Sequence, residues 1–304
     1  MNSFSIVIIT YNRPRDLLAL LQNLVRCCAD SSLLKEIVVV NNASTEDYSE
    51  VEGFLQAEES VHICYHRANS NLGVARGRNL AVTMCSSECL VMLDDDCEME
   101  SVGFLEHLRD AFNSNLGGRP IGIISFYVKY FSTLEPQVNA FPHKDYSGRQ
   151  HLESFETYYF AGGAHAIRRD LFLSVGGYPE DFFYGMEEYD LSYRVIKEGF
   201  CIQFLRGVVM LHKESPEGRK PRREVLLMMW RNKSVVAWKY LPITYFVSTV
   251  VLWSLYYLRG SRGDLRGFVQ QFFQLSRIPL DVSRNPLRTD DMKYLRQCRA
   301  RLFF

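Results

Sequence analysis

The chain has no surplus of charge: 35 Lys and Arg balance 35 Asp and Glu over 304 residues. That balance argues against a general nucleic-acid binder, whose affinity rests on excess cations meeting phosphates. No G-x-G-x-x-G follows the first hydrophobic run, which removes a dinucleotide-dependent oxidoreductase from consideration. The opening MNSFSIVIIT lacks the basic region, long apolar stretch and small-residue cleavage site of a secretory leader. The 8 cysteines include no C-x-x-C pair and no framework spacing, as expected for reduced thiols in a cytoplasmic protein. His62, Cys64 and His66 alternate along one strand face, which the two-residue period of a strand explains without a metal. Residues 241–258 carry no charge, but a run of about 18 residues is the lower edge of what spans a bilayer. Pro242, Thr244, Ser248, Thr249 and Ser254 weaken it further.

The densest feature present is CLVMLDDDCE, where Leu90, Val91, Met92 and Leu93 read as a buried strand that runs into Asp94, Asp95 and Asp96. Adjacent carboxylates repel and raise one another's pKa unless a cation sits among them. Hard oxygen ligands at an open sheet edge suit Mg²⁺ or Mn²⁺, which bind through one or two carboxylates plus substrate phosphates.

Along the chain, residues 4–9 form a strand and Thr10–Arg13 a polar turn, with Pro14 suited to the first turn of a helix. Leu17, Leu20, Leu21, Leu24 and Val25 repeat at helical spacing. Residues 36–40 and 61–66 read as the second and third strands, 71–77 as a glycine-containing loop, and 78–84 as a helix. The alternation predicts an α/β fold with a doubly wound, mostly parallel sheet. Ligands of such sheets bind at the carboxyl ends of the strands, so the loops at 10–13, 41–47 and 94–96 should gather at one edge. Residues 121–128 form a further strand. Residues 129–156 are irregular and aromatic, a length of connection usually reserved for function. Residues 187–197 form a helix stopped by Gly199, with strands at 201–205 and 208–211 following it. A basic cluster at Arg219, Lys220, Arg222 and Arg223 opens a different composition. In it, Leu265, Phe268, Phe272 and Leu275 line one helical face. That amphipathic pattern fits a membrane surface or a helical pair packed on the domain.

Taken in order, SIVIITYNRP, NLGVARGRN, LDDD, the stretch from GGAHAIRRD to VIKEGF, and VVMLHKES together resemble the inverting family 2 glycosyltransferases. That resemblance implies a single nucleotide-sugar-binding domain of the A type at 1–215. Its 1–100 half would bind the nucleotide sugar and its 101–215 half would hold the acceptor and the catalytic group. A helical extension would occupy 216–304. It also implies a nucleoside-diphosphate sugar donor, a divalent Mg²⁺ or Mn²⁺ ion, and a saccharide or lipid-linked acceptor. The setting would be polysaccharide or glycolipid assembly, peripheral at the inner membrane face. Thr10, Tyr11, Asn12 and Arg13 would belong to the base-binding loop. Asp96 would ligate the metal, Asp94 would help hold metal and nucleotide, and Asp95 would bind either one. Arg78, with its planar fork, would meet the diphosphate. Asn41 stands where the family usually has Asp. Its amide could accept from a base imide, donate, or cap a turn, so UDP and dTDP are the favoured donors.

By the same resemblance, GMEEYDLSYR places Glu188 where the family's base sits, with Glu187 as competitor. Such a carboxylate removes the acceptor hydroxyl's proton as it attacks the anomeric carbon, a direct displacement that inverts the centre. Asp190 and Arg194, four apart, form an ion pair on one helical face. His212 corresponds to a family histidine that reaches the metal or diphosphate, and Gly162 and Gly163 allow backbone to approach the donor sugar. A non-catalytic nucleotide-sugar-binding scaffold remains the alternative.

Overall fold

The computed structural model describes residues 3–114 and 118–303. Its first half alternates β1 (Phe4–Thr10), α1 (Pro14–Cys28), β2 (Leu34–Asn41), α2 (Ser49–Ala57), β3 (Ile63–Arg67), α3 (Gly73–Thr83) and β4 (Cys89–Asp94). There follow β5 (Cys97–Met99), α4 (Phe104–Asn113), β6 (Ile121–Tyr130), α5 (Tyr146–Arg149), β7 (Ser154–Thr157) and β8 (Ala164–Arg168). Then come α6 (Arg169–Ser174), α7 (Glu187–Lys197) and β9 (Cys201–His212). Four helices end the chain: α8 (Arg222–Tyr240), α9 (Ile243–Gly260), α10 (Leu265–Asp281) and α11 (Thr289–Gln297).

The strands form one sheet in the order β3-β2-β1-β4-β8-β6-β9-β5, with β7 pairing with β9 off that path. The first four strands are parallel, as the alternation predicts. β8 runs antiparallel between β4 and β6, so the second half is mixed, with β6 and β9 parallel. β1 and β4 are covered on both faces. Ile6, Val7, Ile8, Leu90, Val91 and Met92 are all buried, which is why their sequences are unbroken apolar runs. α1 covers one face with Leu17, Leu20, Leu21 and Leu24, and Pro14 sits at its start. Register sets the functional edge. Ile9 pairs with Asp94 and Thr10 with Asn41, so the loops leaving β1, β2 and β4 emerge level with one another.

Three local expectations differ in the structure. α3 begins at Gly73, not at 78, because side chains satisfy its first amides. Asn71 Oδ1 accepts from the Gly73 N–H at 2.9 Å, and Asn42 Oδ1 accepts from the Leu72 N–H at 2.8 Å. Gly77 is therefore a packing residue inside the helix: a Cβ there would come within 3.0 Å of Ile9 on β1. The strands expected at 201–205 and 208–211 are one strand, β9, with a bulge in its pairing with β6 between Leu205 and Val209. Residues 129–156 fold against the sheet: Phe155 stacks on Phe204, Phe141 meets Phe204 edge-on, and Tyr127 joins them in a satellite cluster.

The C-terminal helices share the main core, with Trp230, Tyr240, Tyr257 and Leu275 buried in it. Asp190 ties α7 to α8, extending the expected local pair. Its carboxylate takes Arg194 at 2.7 Å, Lys239 at 2.7 Å and the Tyr240 hydroxyl at 3.0 Å. α10 is rotated from its expected orientation. Its inner line is Gly267, Gln271, Leu275 and Ile278, with Phe268 against Trp230, whereas Leu265 and Phe272 face outward at 68% and 49% exposure. Among the described residues, no helix is long and apolar enough to cross a membrane.

Candidate active site

A cleft of about 1150 Å³ opens at the carboxyl ends of β1 and β4. Thirteen of the fourteen residues singled out from the sequence line it, and the exception, Asn41, is instructive. Asn41 is fully buried, with its Oδ1 accepting from the Ser44 N–H at 2.9 Å and its Nδ2 donating to the Tyr65 hydroxyl at 2.7 Å. Each end of the amide makes one hydrogen bond within or beside the turn, as the capping alternative expects, and Asn41 is absent from the cleft lining. Its neighbour Asn42 lines the cleft instead.

The loop after β1 is fixed from β2. Asn12 adopts a left-handed φ of 58°, which Asn tolerates, and its Oδ1 accepts from the Thr45 N–H at 2.8 Å. Thr10 Oγ1 and the Tyr48 hydroxyl share a 2.8 Å hydrogen bond. Arg13 then reaches across to the acidic turn, 2.8 Å from Asp95 Oδ1 and 3.4 Å from Asp96 Oδ2. Burial works against its charge, but Asp95 and Asp96 outweigh that and hold its pKa above the ordinary value. Burial pushes the Asp95 carboxyl up to about 7 despite Arg13, with Asp96 adding like charge.

Asp94, Asp96 and His212 present one ligand atom each, all within 4.8 Å of one another. Asp96 is also 3.7 Å from Arg219 and accepts the Ser215 N–H at 3.0 Å. Burial opposes its ionisation, yet His212 and the two arginines keep its pKa below the usual carboxylate value. His212 Nδ1 lies 3.0 Å from Gln137 Oε1, and Nε2 faces Asp96 at 3.5 Å. A histidine held at one nitrogen by a carbonyl oxygen presents the other to a cation, the usual support of a metal ligand. Two carboxylates and an imidazole in this arrangement fit Mg²⁺ or Mn²⁺. Sequence reading missed Gln137 and Arg219 in this role. Nothing local marks either, since each acquires its place through the return of β6 and β9 to the same edge.

Arg78 is buried under the cleft floor. Its Nη2 contacts Asp94 at 2.8 Å, its guanidinium lies over the Tyr178 ring, and its Nη1 has no hydrogen-bond partner among the described residues. Burial lowers its pKa, but Tyr178, Asp94 and the two glutamates raise it further, so it is permanently charged. The spare Nη1 donor suits a phosphate oxygen.

Gly162 and Gly163 form the saddle between the two acidic groups. A Cβ at 163 would run into Asp94 Oδ2, and one at 162 into Glu188 Oε1. Only hydrogen at both positions lets the carboxylates of β4 and α7 converge over adjacent residues. Met186, with φ 71°, bends the chain so that α7 starts with Glu187 and Glu188 facing this saddle. Asn232 on α8 holds that bend by donating to the Gly185 and Tyr184 carbonyls at 2.9 and 3.1 Å. Glu187 is 3% exposed with Oε2 unpartnered, whereas Glu188 is half-buried. Burial pushes both carboxyls up, Glu187 the more because Glu188 lies beside it.

The model of the family described as "Glycosyl transferase family 2" matches residues 5–176, more than half of the chain. The chain belongs to this family. With membership comes the coarse activity, glycosyl transfer from a nucleotide sugar. The matched span contains the acidic turn, Arg78 and the glycine saddle, and ends before Glu188 and His212. An uncharacterized protein of Haemophilus influenzae is 26% identical over 185 residues, covering 59% of this chain and 94% of its own. Human polypeptide N-acetylgalactosaminyltransferase 3 is 28% identical over 232 residues, 68% of this chain and 36% of its own. The chain thus spans about a third of the length of the curated N-acetylgalactosaminyltransferases it matches. Among solved structures, GalNAc-T7 with UDP, GalNAc and Mn²⁺ superposes with a TM-score of 0.65 at 14% identity, over 93% of this chain and 56% of that one. The mannosyltransferase PcManGT of Pyrobaculum calidifontis, with GDP-Man and Mn²⁺, gives 0.60 at 15% identity, over 97% and 84%. These likenesses establish the A-type glycosyltransferase fold.

Proposed function

We propose that this family 2 member is a metal-dependent inverting glycosyltransferase. It would move a sugar from a UDP or dTDP donor to a hydroxyl of a saccharide or lipid-linked acceptor during cell-surface polysaccharide or glycolipid assembly. One observation carries the reading: the glycine saddle sets Asp94 and Glu188 on either side of a single short span of backbone. The donor's diphosphate belongs on the Asp94 side, where Arg78, Arg13 and Arg219 supply positive charge. A divalent ion held by Asp94, Asp96 and His212 would neutralise charge on the departing diphosphate. On the opposite side, Glu188 takes the acceptor hydroxyl's proton as that oxygen bonds to the anomeric carbon and the bond to the diphosphate breaks. One displacement at one centre inverts it. The division into a catalytic domain at 1–215 and a helical extension at 216–304 belongs to the same proposal.

The donor base is tested by thermal stabilisation with a panel of UDP, dTDP and GDP sugars in Mn²⁺. The expected winner is a uridine or thymidine sugar, and preferential stabilisation by a GDP sugar overturns the donor assignment.

The extension supports a location at the cytoplasmic membrane face. Ile243, Val247, Val251 and Leu255 recur at four-residue spacing along α9 and are 52–60% exposed, alongside exposed Leu265 and Phe273 of α10. Arg259, Arg262 and Arg266 cluster at the α9–α10 turn, where they suit anionic headgroups. The protein is expected to float with liposomes containing anionic lipid, and V247S/V251S/L255S to stay at the bottom of the gradient. Equal flotation of both sinks this location.

A further inference from the structure

Two cations near Glu188 have no use in the donor chemistry: Arg301 lines the cleft, and Lys233 lies outside its lining, against Tyr189. Lys233, on α8, is 7% exposed, and its ammonium lies 3.3 Å from the centroid of the Tyr189 ring. Tyr189 follows Glu188 in α7, and its other face is stacked on Tyr159 with centroids 5.2 Å apart and planes 8° from parallel. Arg301, from the segment beyond α11, lines the same cleft with Tyr159, Tyr189 and Glu188. Neither cation has an ion pair among the described residues. Their neighbours do: Arg194 and Lys239 share Asp190, and Arg119 and Arg288 share Asp291.

Lys233 is buried and Arg301 is exposed at the cleft, and two positive groups near one another repel, most strongly where burial removes the water around one of them. Burial and then the charge of Arg301 drive the Lys233 amine down to about 7, with Glu188 pulling the other way. An incoming anion relieves that repulsion. Lys233 is held against the ring of Tyr189, the residue that follows Glu188, so its charge sits beside the proposed base.

We propose that this is an acceptor subsite for an anionic oxyacid group, a phosphate or a carboxylate carried by the acceptor. The group pairs with the Arg301 guanidinium, and Lys233 adds its charge from behind Tyr189. A hydroxyl next to that group is thereby brought to Glu188. The inference rests on the proposed role of Glu188 and adds the class of molecule it serves. A neutral acceptor would bring no counter-charge to either cation.

The full chain, saturated with UDP and Mn²⁺ so that the diphosphate positions are filled, is titrated by ligand-observed NMR. The probes are glycerol 3-phosphate, methyl glucuronide and methyl glucoside. The phosphate or the carboxylate probe is expected to bind at least about tenfold tighter than the glucoside, as a hydrogen-bonded pair between charged groups provides, and whichever does so identifies the group. Arg301→Gln is expected to bring that probe down to the glucoside's level without altering UDP–Mn²⁺ binding. Lys233→Met is expected to weaken it severalfold. Equal binding of all three probes overturns the subsite, as does full preference retained by Arg301→Gln. Failure of the parent protein to bind UDP–Mn²⁺ is a separate result. It removes the glycosyltransferase reading, and this inference with it.

Discussion

Glu188→Gln is expected to lower the rate of sugar transfer by about a thousandfold while leaving UDP–Mn²⁺ binding intact. The amide keeps the size of the side chain beside Gly162 and loses only the ability to take a proton, and a positioned base is worth a factor of this order. Glu187→Gln is expected to do much less. Its carboxyl is buried and pushed up by burial and by Glu188, which makes it the less ready of the two to ionise and take a proton. The wild-type rate should therefore fall on acidification through a midpoint above 4.5, the ordinary glutamate value, because burial raises the Glu188 pKa and the base must be ionised to work. The same shift acts on stability with the opposite sense. The unfolded chain loses these protons first, so folding free energy declines as pH rises from the ordinary to the raised value. Transfer and binding measured side by side decide the matter. A Glu188→Gln protein retaining a tenth of its activity, or a more damaging Glu187→Gln, takes the base role away from Glu188.

The second large effect is expected at the metal. Asp96→Asn keeps a side chain of the same shape, able to accept from the Ser215 N–H, but removes the charge that Arg13, Arg219 and His212 surround. Mn²⁺-dependent UDP affinity should drop by about a hundredfold, the upper end of what loss of a neighbouring group costs a metal site. Chelation of the wild-type protein with EDTA should reproduce the loss. Calorimetric titration of UDP with and without Mn²⁺ measures both. Unchanged Mn²⁺ dependence in Asp96→Asn would mean that the ion binds elsewhere.

Much of this architecture is legible in the amino-acid sequence because it is written in local patterns. Apolar runs announce β1, β2 and β4, and the polar residues that end them are carried to one edge by the parallel register. The acidic turn, the glycine pair and the double glutamate are each short enough to recognise. What sequence could not supply was the state of each side chain after folding. Asn41 and Asn42 are adjacent and alike, yet one is consumed by Ser44 and Tyr65 while the other opens on the cleft. Gln137 earns its position behind His212 through a contact between residues 75 apart. On α10, periodicity showed that an apolar face exists, but both Leu275, turned inward, and Phe272, turned outward, satisfy that pattern. Which side is covered depends on where α8 and α9 lie, and no window of sequence contains that.

The bare backbone at 162 and 163 has a consequence for how this enzyme would diverge. Neither position has a side chain to trim, so extra room for a bulkier sugar cannot be gained there, and any enlargement at either would push Asp94 or Glu188 aside. Changes in preference must come from other residues of the cleft wall, such as Met229 and Asn139.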